Sequence, residues 1–242
     1  MKSTELTIDV DGTPMAAYLA RPEHGRPVPA VIVLEGIYGF DDEMRRVTDL
    51  VAGAGYVGLA INYFYRTHPA YRQEYSTEGR MRGNEAIKSV TKEGLRRDVA
   101  AARDWLNEQD FVDFGKMVTW GFGFGGAAAF ITATLPGIRG AVAFYGQSID
   151  DTLPSGEPAP VTDAKALRAP LLLVFGGLDE QISKADIDAI GAQLTAEGKR
   201  FEVQVYPNVG HSFFREGVAS VSLREIADAW DRVQAFLKKR FA

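Results

Sequence analysis

Trp120-Gly121-Phe122-Gly123-Phe124-Gly125-Gly126 is the stretch that decides the fold. Leading into it, Met117-Val118-Thr119-Trp120 is apolar but for one threonine, as in a buried strand. After it, residues 126–135 are small and apolar and read as a helix. The quoted glycines therefore lie in a tight strand-to-helix turn, where a Cβ would meet neighbouring backbone. A turn of this pattern ordinarily raises a nucleophile on its middle residue. Here that residue is Gly123, which has no side chain to attack with. The next N–H, on Phe124, is the one such a turn offers to an oxyanion. Gly121, Gly123 and Gly126 also fit the spacing of a dinucleotide-binding loop. That loop belongs to a first βαβ unit with an acidic residue about twenty positions on. This one lies mid-chain, and residues 140–144 are uncharged, so no nucleotide cofactor is expected.

Residues 6–10 and 15–19 alternate around Asp11-Gly12, a hairpin signal. Residues 28–34 (VPAVIVL) are apolar on both faces, as a central parallel strand is. Residues 56–61, 138–145, 171–175 and 201–206 add further strands. Helical spacing runs through 41–53, with Met44, Val47, Leu50 and Val51 on one side. It recurs at 95–107, 185–197 and 222–241. Strands alternating with helices predict an α/β fold, a mostly parallel sheet covered on both faces. One domain over residues 1–242 is expected. Two stretches break the alternation. The segment starting at Tyr63 is long, aromatic and basic, and within 63–90 it reads as a cap over an active-site mouth. Residues 146–170 are rich in Asp, Pro, Ser and Gly.

Composition narrows the function classes. The chain has 242 residues, 46% of them hydrophobic, and a formal net charge of −5. Mild acidity argues against a nucleic-acid partner, which needs clustered Lys and Arg. There is no cysteine, which removes disulfides, Cys-based zinc sites and a thiol nucleophile together. No metal or cofactor is implied. No apolar run is long enough to cross a bilayer, and none follows Lys2 as a signal peptide requires. A cytoplasmic protein acting on small molecules is expected.

Two more positions fit the turn. Asp179 closes Gly176-Gly177-Leu178-Asp179, directly after the strand LLLVF. His211 lies in Gly210-His211-Ser212-Phe213, after FEVQVY and before the last helix. The order nucleophile, acid, base is the one the α/β-hydrolase fold uses. His24 and His68 have no such context.

These residues resemble the dienelactone hydrolase family over nearly the whole chain. The carriers are Ile37-Tyr38-Gly39, the turn at 120–126, Phe144-Tyr145-Gly146, Gly176-Gly177-Leu178-Asp179 and Gly210-His211-Ser212-Phe213. The resemblance implies a cofactor-free α/β-hydrolase whose type activity opens a lactone with a Cys-His-Asp triad. It implies that Asp179 orients His211, and that the N–H groups of Ile37 and Phe124 form the oxyanion hole. It also implies that Arg215, four residues after His211, binds a substrate carboxylate. Arg80 or Arg82 in the cap is a candidate second anion clamp. Tyr38 and Tyr145 are candidate pocket residues able to donate a proton, with packing as the alternative.

Two departures from the pattern stand together. The family's cysteine position is Gly123. Its acidic residue before Ile-aromatic-Gly is Gly36, with Glu35, a candidate substrate-binding residue of the pocket, one position earlier. A paired loss favours natural change over a laboratory knockout. Three functions follow. His211, held by Asp179, activates water or moves a substrate proton, as a lactone or ester hydrolase or a repurposed isomerase, lyase or cyclase. Alternatively, the chain is a nucleophile-substituted form of an active Cys or Ser hydrolase. In the third reading it is a non-catalytic protein that binds a small acidic ligand or a protein partner.

Overall fold

A computed structural model describes residues 1–23, 25–216 and 223–242. Strands β1 (Lys2–Val10) and β2 (Thr13–Arg21) form the expected hairpin, with Asp11 and Gly12 both at positive φ. The central strands are β3 (Val28–Leu34), β4 (Val57–Ile61), β5 (Val112–Phe122), β6 (Ile138–Phe144), β7 (Leu171–Gly176) and β8 (Phe201–Tyr206). They assemble in the order β1-β2-β4-β3-β5-β6-β7-β8, with β1–β2 and β2–β4 antiparallel and every other pair parallel. The sheet is mostly parallel, as the continuous apolar runs predict: residues 30–34 and all of β4 and β7 are buried.

Helices α1 (Asp42–Gly53), α3 (Lys92–Asn107), α4 (Phe124–Thr132), α5 (Lys184–Ala196) and α6 (Leu223–Phe241) connect and cover the strands. Capping sets their starts. Asp41 caps α1 through Met44 N–H (3.1 Å), and Thr91 caps α3 through Gly94 N–H (3.0 Å). The second cap places the start of α3 three residues before the apolar spacing does. Strand β5 also begins earlier than its apolar core. Its first residue, Val112, pairs with Val28, and a register shift separates that pair from Ala30–Met117, with Phe114 exposed in the interval. Among the described residues, no helix is long and apolar enough to cross a membrane.

The segment after β4 is not an open loop. It contains α2 (Thr77–Ala86), capped by Ser76, and a 3-10 turn (Ile87–Ser89). Within residues 146–170, a second 3-10 turn spans Pro160–Ala166.

The turn between β5 and α4 is closed around its glycines. A Cβ on Gly121 would strike the Gly125 carbonyl group, and one on Gly125 would strike the carbonyl oxygens of Leu34 and Glu35. These are backbone atoms of the central sheet and of α4, so they cannot move aside. Gly121→Ala is therefore expected to lower unfolding stability by about 3 kcal/mol, read as a shift of the urea midpoint. An unchanged midpoint would show that the turn relaxes.

Candidate active site

The carboxyl ends of four parallel strands converge on one cavity of about 140 Å³. Ile37 follows β3, Gly123 follows β5, Asp179 follows β7 and His211 follows β8. A crevice at strand carboxyl ends is where α/β sheets place ligands. Ile37, Gly123, Phe124 and His211 line it, while Asp179 lies behind His211.

His211 Nδ1 lies 2.8 Å from Asp179 Oδ2, and the Asp179 side chain is fully buried. The other carboxylate oxygen accepts from the N–H groups of Gln181 (2.8 Å) and Ile182 (3.3 Å). These bonds fix the carboxylate, and the carboxylate fixes the ring. With Nδ1–H donated to Asp179, Nε2 presents its lone pair to the cavity. An ideal Cβ on Gly123 would lie 3.8 Å from that Nε2, with no other heavy atom within 4 Å. Gly123 has φ 57° and ψ −122°, a geometry that strains any other residue.

The N–H groups of Ile37 and Phe124 have no acceptor among the described residues. Phe124 is the first residue of α4, so its N–H also carries the positive end of that helix. The loop bearing Ile37 is braced from the segment after β4. Tyr63 Oη donates to the Glu35 carbonyl (2.5 Å), and Tyr71 Oη donates to the Ile37 carbonyl (3.2 Å). Gly83 of α2 packs directly on Ile37, close enough that a Cβ there would come to 2.8 Å from Ile37 Cβ. An antiparallel bridge between Gly39 and Arg72 adds two bonds, Phe40 N–H donating to the Tyr71 carbonyl (3.0 Å) and Gln73 N–H to the Tyr38 carbonyl (2.8 Å).

Charge at the mouth is more balanced than the sequence suggests. Arg215 lines the cavity, and its guanidinium lies 4.7 Å from the Tyr75 ring and 5.4 Å from the Tyr38 ring. It is paired with buried Asp41 at 2.5 Å, a partner 174 residues away that no local pattern announces. Asp41, Glu43 and Tyr75 also line the cavity, and none is evident from sequence. Arg80 lies at the rim with no ion pair among the described residues. Arg82 does not line the cavity. It is exposed and paired with Glu78, one helical turn away.

Tyr38 and Tyr145 both line the cavity. Tyr145 has φ 39°, a rare backbone state for a bulky residue, and its ring centre lies 5.0 Å from that of His211. Burial, and then Glu43, push its hydroxyl well above the usual tyrosine range, so it stays a proton donor. Burial and Tyr75 likewise push Tyr38 up.

Glu35 is not a cavity residue. It is 1% exposed, and neither carboxyl oxygen has a partner. Burial, reinforced by Asp41, raises its pKa well above the carboxylate range, and it lies behind the loop. Its neighbours respond: Tyr71 is pushed up to about 12 by burial and then by Glu35. The folded state thus binds a proton that the unfolded chain releases above about pH 4.3. Stability is therefore lost as pH rises from that value towards the raised folded pKa. Glu35→Gln removes the loss. It is expected to raise Tm by at least about 3 °C at pH 8, with the gain vanishing below pH 4. A pH-independent change in Tm would contradict a protonated Glu35.

The fold, the ordered Asp–His pair and the strand-end cavity define an α/β-hydrolase. The dienelactone hydrolase family model matches residues 15–241. A carboxymethylenebutenolidase homologue of Synechocystis sp. is 30% identical over 234 residues, covering 97% of this chain and 95% of that one. One from Escherichia coli K12 is 27% identical, covering 96% and 85%. The crystal structure of a dienelactone hydrolase homologue from Klebsiella pneumoniae superposes with a TM-score of 0.90 at 26% identity, over 98% of each chain. The chain belongs to the dienelactone hydrolase family, a family of hydrolases.

Proposed function

We infer that the protein hydrolyses a small lactone or ester that bears a carboxylate, using water activated by His211 and no covalent intermediate. One observation carries this reading: His211 Nε2, oriented by Asp179, faces open space at Gly123 beside two N–H groups with no acceptor among the described residues. In this reading Gly123 stands at the family's nucleophile position. A water at the elbow gives its proton to Nε2 as its oxygen attacks the carbonyl carbon. The Ile37 and Phe124 N–H groups hold the oxyanion. The proton on Nε2 then passes to the leaving alkoxide. Asp179 stays ionised and steadies the imidazolium. The same pair and hole also suit proton transfer on an enolisable substrate, so isomerisation is a second outcome of a substrate screen.

The anion clamp is assigned first to Arg80, which has no ion pair among the described residues, and second to Arg215, which shares its charge with Asp41. A charge-assisted contact contributes about 1.5–3 kcal/mol. Paired esters, one with a free carboxylate and one with it capped as an amide, should differ at least about 10-fold in kcat/KM. Arg80→Ala should narrow that difference. Equal turnover of both esters would remove the carboxylate from the substrate description, and no turnover of any ester would remove the hydrolase reading.

A further inference from the structure

One carboxylate in the wall of the catalytic cavity has no part in the chemistry above. Glu43, in the first turn of α1, lines the cavity, and its side chain is only 9% exposed. Arg46, three residues on, lies outside the lining and holds this carboxylate with two bonds, Nε to Oε2 (2.9 Å) and Nη2 to Oε1 (2.6 Å). Arg46 is itself anchored: Nη2 also donates to the Phe214 carbonyl (3.1 Å), and the guanidinium lies 5.5 Å from the Phe214 ring centre. The Glu43 carboxylate is therefore fixed in place and plane. Its two oxygens offer about four acceptor positions, and Arg46 fills two. No other donor reaches them among the described residues. The carboxylate also stands near the reacting groups. Its charge is felt at the Tyr145 hydroxyl, and the Tyr145 ring centre lies 5.0 Å from that of His211. The second carboxylate of the lining, Asp41, is paired with Arg215. Neither acid has an unbalanced charge, so an ammonium group gains little from them. A hydroxyl gains a charge-assisted O–H···O⁻ bond and brings no charge of its own.

We propose that Glu43 determines specificity by accepting a hydrogen bond from a free hydroxyl of the bound molecule, so that the preferred substrates are hydroxylated esters or lactones that also bear a carboxylate. The substrate class rests on the hydrolase reading of the same site. Each polar group of such a molecule then has its own partner. The carboxylate meets Arg80, the carbonyl oxygen meets the Ile37 and Phe124 N–H groups, and the hydroxyl meets Glu43. Three separate fixed contacts accept one hand of a chiral molecule and reject the other.

The test offers the full-length enzyme methyl monoesters of succinate that carry a hydroxyl, methyl or ammonium group at carbon 2 or carbon 3, each enantiomer separately. Ketone counterparts, with the ester oxygen replaced by CH₂, resist hydrolysis, and calorimetry reads their Kd. At one position and in one configuration, the hydroxy ester should exceed its methyl counterpart at least about 10-fold in kcat/KM. The hydroxy ketone should bind more tightly than the methyl ketone by a similar factor. The ammonium compounds should show no such advantage. Glu43→Gln keeps an acceptor without the charge and should cut the hydroxyl advantage to about threefold. Glu43→Ala should abolish it, together with the preference between enantiomers, in protein that circular dichroism shows to be folded. A Glu43→Gln enzyme that is slower on every ester, with the hydroxyl-to-methyl ratio unchanged, would reduce Glu43 to a structural residue and overturn the proposal. A larger advantage for ammonium than for hydroxyl would overturn it as well. Equal turnover of hydroxy and methyl esters at both positions, with equal ketone binding, would overturn it and leave the hydrolase reading standing. A hydroxyl advantage in ketone binding with no ester cleaved would support the role of Glu43 and overturn the hydrolase reading.

Discussion

His211→Ala is expected to lower kcat for ester or lactone hydrolysis by about 10³-fold, with KM changed less than about threefold. Nε2 is the basic atom that an incoming nucleophile at Gly123 would meet, and no described side chain competes for it. Without a tethered nucleophile, activation of the attacking molecule and protonation of the leaving group both fall on this one ring. General base catalysis ordinarily contributes about 10²–10⁴-fold, and the estimate sits inside that range. The substrate's anionic end would be held elsewhere, at Arg80 and Arg215, which is why KM should hold. Asp179→Asn should lose a comparable factor, because an amide no longer dictates which ring nitrogen carries the proton. Unchanged turnover in His211→Ala would move the chemistry away from this pair altogether.

Gly123→Ser is expected to convert the enzyme to covalent catalysis. A serine Cβ would sit 3.8 Å from Nε2, so its Oγ reaches hydrogen-bond distance without moving any backbone atom. Single-turnover acylation should then exceed the wild-type rate by at least about 10²-fold, with a burst equal to the enzyme concentration. A fluorophosphonate probe should label the variant and leave the wild type unlabelled. The gain has a stability counterpart. Gly123 has φ 57°, and placing a non-glycine residue there costs about 1–3 kcal/mol, so the variant should melt several degrees lower. Faster chemistry with lower stability is the paired signature to look for. A folded variant with neither burst nor label would mean that the elbow no longer presents its residue to His211.

Much of this site is legible in the sequence, because its parts are local motifs in chain order. The glycines at 121–126 declare a turn, and Asp179 and His211 each follow a strand that is apolar enough to recognise. What is not legible depends on contacts distant in sequence or on weak amphipathicity. Helix α2 has almost no apolar face. It forms on the Ser76 cap and on two glycines that let it lie against Glu74 and Ile37. Arg80 and Arg82 look equivalent as text, but two helical residues are about 200° apart, so one reaches the rim and the other meets Glu78. Glu35 reads as a pocket acid because it stands beside the missing acidic position. Packing against Tyr63 and Tyr71 buries it behind the loop instead. The Asp41–Arg215 pair joins a helix cap to the loop after β8, and only the folded chain brings them together.

The proposed mechanism is attack by a free nucleophile, with no acyl-enzyme at any stage. Intact-protein mass spectrometry of the wild-type enzyme, acid-quenched while it turns over an ester, tests this directly. The expected spectrum contains the unmodified chain alone. A species heavier by the mass of the acyl group, accumulating and decaying at the rate of turnover, would contradict it.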